Sequence, residues 1–329
     1  MKKRIIIIFI LLATCCMLDA QDASFSQYYA SPLYVNPAQG GFSHAPRFAL
    51  QYRDQQPFFN RAFVTYLATF DLYVGPLQGA LGVVLQRDVL AKGLLVNQSA
   101  LFCYNYRTNI NKINISIGVG AGVLQSKINS SQALLNDQVN LPYGFENAAG
   151  TILATTELYA SSQLKPDASF GVMAYAKRAF VGVSAKHLLP LAWSAQGNNI
   201  LLPIKYSFNA GYEFNLQPRG TITLTPNVLV SSQGPFTQCN IGAHLIADKY
   251  SIGAYYRNVL ENSDAAILTV GYTLGLVKAS YSYDFGLKGA GRFYTGAHEL
   301  CFVLQIEESA WGKRQRRIKK SASCPTFLK

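Results

Sequence analysis

Charge is the scarcest thing in this sequence. Of 329 residues only 14% are Asp, Glu, Lys or Arg, while 50% are hydrophobic; a soluble domain carries about 25% charged residues. Long hydrophobic runs are missing after the first twenty residues, so no transmembrane helix is expected downstream. Histidine is scarce too. His44, His187, His244 and His298 show no HxxxH spacing, which leaves no metal site and no cofactor to expect. Ser and Thr are abundant, so a Ser beside a His is expected by chance, and catalysis is not. Tryptophan occurs twice, against 20 Tyr and 19 Phe. Of six cysteines, Cys15 and Cys16 sit in the leader, and Cys103, Cys239, Cys301 and Cys324 have no CxxC spacing. Free thiols are expected rather than a disulfide framework.

The leader is legible. Met1-Lys2-Lys3-Arg4 is a positive start, residues 5–13 are an apolar run too short to span a bilayer, and Ala20 precedes Gln21. Residues 1–20 read as a secretory signal peptide, with lipid attachment at Cys15 or Cys16 as a weaker rival.

Beyond it the dominant pattern is alternation. Ile113, Ile115, Ile117, Val119, Ala121 and Val123 interleave with Asn114, Ser116, Gly118, Gly120 and Gly122. Ile222, Leu224, Val228 and Val230 interleave with Thr221, Thr223, Thr225 and Asn227, and Val277, Ala279, Tyr281, Tyr283 and Phe285 with Lys278, Ser280, Ser282 and Asp284. Period two puts one strand face in apolar surroundings and the other in polar ones. With low charge, many Tyr and no helical span, this predicts an all-β transmembrane antiparallel up-and-down barrel of about 14 strands: apolar residues to lipid, small polar ones to the lumen. The strands fall near 46–56, 60–73, 79–88, 94–107, 113–125, 168–176, 180–187, 204–214, 220–231, 236–246, 250–258, 265–274, 277–286 and 297–306. A secreted sandwich is the rival, but it would need more charge on its outer faces.

Short connections such as 75–78, 108–112, 177–179 and 275–276 alternate with longer ones such as 126–167, 188–203 and 287–296. With both barrel ends periplasmic, the long set is expected outside the cell. The organisation read from this is residues 1–20 signal peptide, 21–45 periplasmic N-terminal segment, 46–306 barrel and 307–329 basic periplasmic tail. Tyr206, Phe208, Ala210, Tyr212 and Phe214 are expected to face lipid, and Lys205, Ser207, Asn209, Gly211, Glu213, Lys278, Asp284 and Glu299 the lumen. Cys103 and Cys301 take inward positions, with Cys239 near one. The glycines at 118, 120 and 122 share one strand face, where they allow bending or let another backbone come close.

The formal charge is +12. Without the leader's Lys2, Lys3, Arg4 and Asp19 it falls to +10, and residues 312–329 hold seven positives and no acid. The basicity is therefore a property of the tail, an interaction segment or a solvated one, and not a nucleic-acid signature.

Residues 22–38 include Asp22-Ala23-Ser24-Phe25-Ser26-Gln27-Tyr28 and Ser31-Pro32-Leu33-Tyr34-Val35-Asn36-Pro37-Ala38. This opening resembles that of the PorP/SprF family of type IX secretion membrane proteins. So do Gln51-Tyr52-Arg53-Asp54-Gln55, Gly79-Ala80-Leu81-Gly82-Val83 with Lys92-Gly93-Leu94, Phe180-Val181-Gly182-Val183-Ser184-Ala185-Lys186-His187-Leu188, and Cys324-Pro325-Thr326-Phe327. The resemblance implies an integral protein of the bacterial outer membrane in Bacteroidetes, helping a secreted cargo such as a gliding adhesin reach or stay on the surface. Its partners would be outer-membrane lipid, periplasmic type IX components and the cargo. Candidate partner-contact residues are Phe25, Ser26, Gln27, Tyr28, Pro32, Leu33, Tyr34, Asn36 and Pro37, with Lys313, Arg314, Arg316, Arg317, Lys319, Lys320 and Cys324 of the tail. Packing into the barrel mouth is the alternative role for Phe25, Tyr28, Tyr34 and Pro37. The competing function is an ordinary porin or solute channel, which needs an open lumen.

Overall fold

The computed structural model describes residues 22–43, 45–57, 61–129, 162–195, 198–217, 222–259, 264–287 and 296–306. Its strands are β1 (Arg47–Gln55), β2 (Phe63–Val74), β3 (Gly79–Leu90), β4 (Leu95–Ile110), β5 (Ile113–Ile128), β6 (Ser162–Tyr175), β7 (Ala179–Lys186), β8 (Leu191–Ala195), β9 (Asn198–Leu202), β10 (Lys205–Tyr212), β11 (Phe214–Asn215), β12 (Ile222–Gln233), β13 (Phe236–Ala247), β14 (Tyr250–Val259), β15 (Asp264–Leu274), β16 (Val277–Gly286) and β17 (Ala297–Gln305). Barrel neighbours pair antiparallel. β17 returns to β1, from Arg47↔Gln305 to Gln55↔Ala297. β7 pairs β10, and β10 pairs β12. Since β11 continues β10 past Glu213, and β8–β9 form a separate hairpin, the wall is a closed 14-strand barrel. Closure leaves no unpaired edge, which a strand surrounded by hydrocarbon cannot tolerate.

The alternation does what the sequence predicts. Along β10 the side chains of Lys205, Ser207 and Asn209 are buried inside, while Tyr206, Phe208 and Tyr212 are exposed outside. Thr223, Thr225 and Asn227 of β12, and Ser280, Ser282 and Asp284 of β16, are likewise buried, as are Glu213 and Glu299. On the outside, Tyr52–Tyr66 and Tyr283–Phe285 pairs mark one end of the wall, with ring centroids 5.4 and 4.6 Å apart, and Tyr212–Phe214 and Tyr250–Tyr272 the other, at 4.7 and 5.2 Å. Two aromatic belts of this kind are the outer-membrane pattern.

Three details differ from the expectation. β4 and β5 run on to Ile110 and Ile128, and β6 begins at Ser162 rather than near 168. Where β5 ends and β6 begins the outer faces turn polar: Gln125 Nε2 donates to Ser162 Oγ at 2.8 Å. The strands outrun the apolar band, so the apolar alternation stops before the ladder does. The expected connection 188–203 contains the β8–β9 hairpin. Cys239 lies on the outward row of β13 with Ile241, because its neighbour Asn240 is the buried, inward residue; Cys103 and Cys301 are buried inside, and all three are free thiols.

Candidate functional site: a segment folded inside the barrel

The segment expected at a periplasmic surface is inside the lumen. Phe25, Ser26, Gln27, Tyr28, Leu33, Tyr34 and Asn36 are each at most 7% exposed, and Pro32 and Pro37 are buried with them. The sequence predicts no strand here, and there is none: three single turns, Tyr28–Ala30, Pro32–Val35 and Pro37–Gln39, follow one another. Pro32 and Pro37 open the second and third turns, where a missing N–H costs nothing. Asn36 caps the third, its Oδ1 accepting from the Ala38 N–H at 2.8 Å, while its Nδ2 donates to the carbonyls of Val172 and Val183 at 3.3 and 3.0 Å. A segment enclosed by a polar lumen has its backbone satisfied by wall side chains, which is why so many inward residues are Ser, Asn, Asp and Glu.

The tightest anchor is at Ser26 and Gln27. The Glu299 carboxylate accepts the backbone N–H of Ser26 and that of Gln27, both at 2.8 Å. It also pairs with Arg53 at 3.0 Å. Arg53 and Arg257 flank Asp284 at 2.7 and 2.8 Å. The Ser26 hydroxyl donates to Asp284 at 2.6 Å and accepts from Arg53 and, at 2.7 Å, from Arg257. Two cations and two anions cancel, so the cluster satisfies its buried charges internally, as a buried network must. Gln27 is held by Gln51, Ser282 and Ser280.

The opposite flank is packed closely. A Cβ on Gly118 would lie 2.3 Å from the Ala38 nitrogen, one on Gly171 2.0 Å from Asn36 Oδ1, and one on Gly82 2.5 Å from a Leu33 methyl. Gly118 therefore serves close backbone approach, one of the two uses the sequence allows for its row, whereas a Cβ on Gly120 or Gly122 would meet only the neighbouring wall strands. Ser116 donates to the Ala38 carbonyl and Ser184 to the Val35 carbonyl, at 2.7 and 2.8 Å. Apolar contact completes the seat: Phe25, Leu33 and Tyr34 cluster with Leu67, Val84 and Cys103, and Tyr28, Tyr29 and Ala30 with Tyr255, Ile267 and Cys301.

The segment runs between the two ends of the barrel. Asp22 lies at the end carrying the long connections, where its backbone N–H donates to Gln233 at 2.9 Å. There His187 stands between two carboxylates, with Asp22 3.0 Å from Nε2 and Asp167 3.0 Å from Nδ1. Burial alone would depress its pKa; the carboxylates reverse that and lift it to about 9. Burial pushes Asp22 up, but His187 and Lys205 hold its carboxyl well below the usual range. At the other end Asp71 accepts from Gly41 N–H at 2.7 Å, and Arg47 Nη2 donates to the Ala30 carbonyl at 2.6 Å, just before the chain enters β1.

The nine candidates between Phe25 and Pro37 lie together in one buried body inside the wall, the packing that was the alternative role for Phe25, Tyr28, Tyr34 and Pro37. Residues 313–320, Cys324, His44 and the leader lie outside the described residues. Arg53, Arg257 and Gly118 were not candidates, though inward charge on a strand was a usable signal for the first two.

An outer-membrane-type barrel with a folded N-terminal segment in its lumen is the class these observations define. The family described as "Type IX secretion system membrane protein PorP/SprF" matches residues 17–304, and the chain belongs to it. No curated protein matches. Among solved structures, the chain is similar to the Acinetobacter baumannii outer membrane protein Omp33 at 9% identity and TM-score 0.47, over 81% of this chain and 100% of that one. It is similar to the CymD monoaromatic hydrocarbon channel at 12% identity and TM-score 0.49, over 87% and 95%, and to the KdgM porin at 7% and 0.38, over 79% and 99%. At those distances the likenesses carry nothing about function.

The stretches that resemble the family meet in space. Ser26 binds Arg53, Leu33 packs on Gly82, and Asp22 binds His187.

Proposed function

We propose that this barrel serves type IX secretion by helping a particular cargo, such as a gliding adhesin, reach or stay on the surface of a Bacteroidetes cell. In this reading the signal peptide is removed before Gln21, the long connections face outward, and the short turns and the tail face the periplasm. The observation that carries it, beside the family, is the filled lumen. A porin needs an aqueous path, whereas here residues 22–43 lie buried inside the barrel, tied to the wall by a buried charge cluster. Working surfaces are then the two mouths and the tail. Deleting the gene should lower surface display of one type IX cargo and leave small-solute uptake unchanged. Normal display of every cargo with reduced uptake would replace this reading with the channel.

A further inference from the structure

The barrel closes where its first strand meets its last, and β1 and β17 must find each other across the whole chain: Arg53 and Glu299 are 246 positions apart. Pairing over so long a loop carries a closure entropy and is slow. The lipid face of this seam sets Phe48, Leu50 and Tyr52 opposite Leu304, Phe302 and Leu300. Sliding β17 by two residues keeps every side chain on its own face, because the strand period is two. Leu50 then stands opposite Leu304 and Tyr52 opposite Phe302, apolar on apolar again. The lipid face therefore discriminates little between the two registers. The lumen face does discriminate. Arg53 stands opposite Glu299 in the observed register; after the slide Arg53 would face Cys301, and Glu299 would face Gln55.

Ser26 and Gln27 sit on this seam. Glu299 of β17 accepts the backbone N–H of each. From β1, Gln51 donates to the Gln27 carbonyl at 3.0 Å and Arg53 to the Ser26 hydroxyl. On β16, Asp284 accepts from the Ser26 hydroxyl and Ser282 from Gln27 Nε2. Two consecutive residues thus touch both sides of the closure. They also precede β1 in the chain, and Arg47 of β1 holds the Ala30 carbonyl at 2.6 Å, so they stay with one side of the seam while the other arrives.

We propose that the lumenal segment is an intramolecular template for barrel closure: Ser26 and Gln27 capture the Glu299 carboxylate and so fix the register in which β17 joins β1. Two adjacent backbone N–H groups aimed at one carboxylate make a directional, charge-assisted site. A slid β17 would carry Glu299 roughly 7 Å along the strand, out of reach of both N–H groups and of Arg53. The segment therefore turns a pairing between distant ends of the chain into one between β17 and residues already attached to β1. The inference concerns assembly of the wall, and it rests on neither the cargo nor the orientation of the barrel.

The test is oxidative cross-linking of the full chain in membranes, with its six native cysteines replaced by serine. Leu50→Cys with Phe302→Cys reports the observed register, and Leu50→Cys with Leu304→Cys the slid one. Ala68→Cys with Leu85→Cys, opposite each other on β2 and β3, reports the rest of the wall. With the native segment the first and third pairs should cross-link and the second should not. Two variants release the template without altering a seam residue of the wall. Ser26→Pro with Gln27→Pro removes both N–H groups. Gly118→Leu displaces the segment from the opposite wall, where a Cβ would already stand 2.3 Å from the Ala38 nitrogen. Each should raise the ratio of slid to observed product about tenfold or more, the factor lost with one hydrogen bond to a charged group. Gln27→Ala, which keeps its N–H, should hold the wild-type ratio. Loss of both seam products with the Ala68–Leu85 product intact would mean an open seam, and would support the template equally. The proposal fails if either released variant keeps the wild-type ratio. It also fails if all three products vanish together, since the segment would then serve folding of the whole wall and not its closure.

Discussion

Glu299→Ala should unseat the lumenal segment while leaving the barrel folded. The wild-type carboxylate accepts two backbone N–H groups of the segment at 2.8 Å and pairs with Arg53 at 3.0 Å. A hydrogen bond to a charged group contributes about 1.5–3 kcal/mol, so losing the two that tie the segment costs roughly 3–6 kcal/mol of seating free energy. At 1.36 kcal/mol per factor of ten, the unseated population rises on the order of 10²–10⁴-fold. The wall itself loses one partner of Arg53, which keeps Asp284 at 2.7 Å. The chain carries its own reporters. Cys301 packs under Tyr28, Tyr29 and Ala30, and Cys103 under Phe25, Leu33 and Tyr34. In a Cys239→Ser, Cys324→Ser background, a water-soluble maleimide should label both thiols faster by that factor in Glu299→Ala. Cys301 is two residues from the substitution; Cys103, on β4, is the test of movement as one body. Unchanged Cys103 labelling in a folded, heat-modifiable barrel would refute the idea that Glu299 holds the segment in place.

Gly118→Ala should have a similar effect from the opposite wall, since its Cβ would stand 2.3 Å from a backbone nitrogen; overpacking of this kind costs about 1–3 kcal/mol, and Cys103 protection is the readout. The Asp22–His187 tether should be strongest between the carboxylate and imidazole titrations. His187, raised to about 9, contributes stability that is complete below its ordinary value of about 6.5 and is lost as pH rises through about 9; Asp22, depressed, contributes above the ordinary carboxylate range and is lost on acidification. Histidine NMR should show the His187 midpoint fall in Asp22→Asn, and an unchanged midpoint would contradict the pairing. Leu268, 53% exposed at the middle of β15, faces lipid, and Leu268→Arg should cost about 2–4 kcal/mol and reduce the yield of heat-modifiable barrel; a normal yield would argue against that face.

The wall was legible because its chemistry repeats. Each strand has a lipid face and a lumen face, so Ile113 to Val123 or Lys205 to Glu213 carry the answer in their own order. The strands' outer extensions were not legible, since Gln125 and Ser162 break the apolar row while the ladder continues. The lumenal segment was half legible: Pro32, Asn36 and Pro37 show turns rather than a strand, but its place inside depends on contacts with residues up to 273 positions away, as between Ser26 and Glu299. No local pattern encodes such a contact. Gly118 on the inward row of β5 was its trace, a place with room for another backbone.

Ion conductance across a planar bilayer tests the central claim most directly, that the lumen is occupied and the protein is not a pore. The full-length protein should insert and show no steady open conductance, and Glu299→Ala should open it intermittently. A steady, porin-like conductance from the wild-type chain, with Cys103 and Cys301 freely labelled from water, would contradict the account.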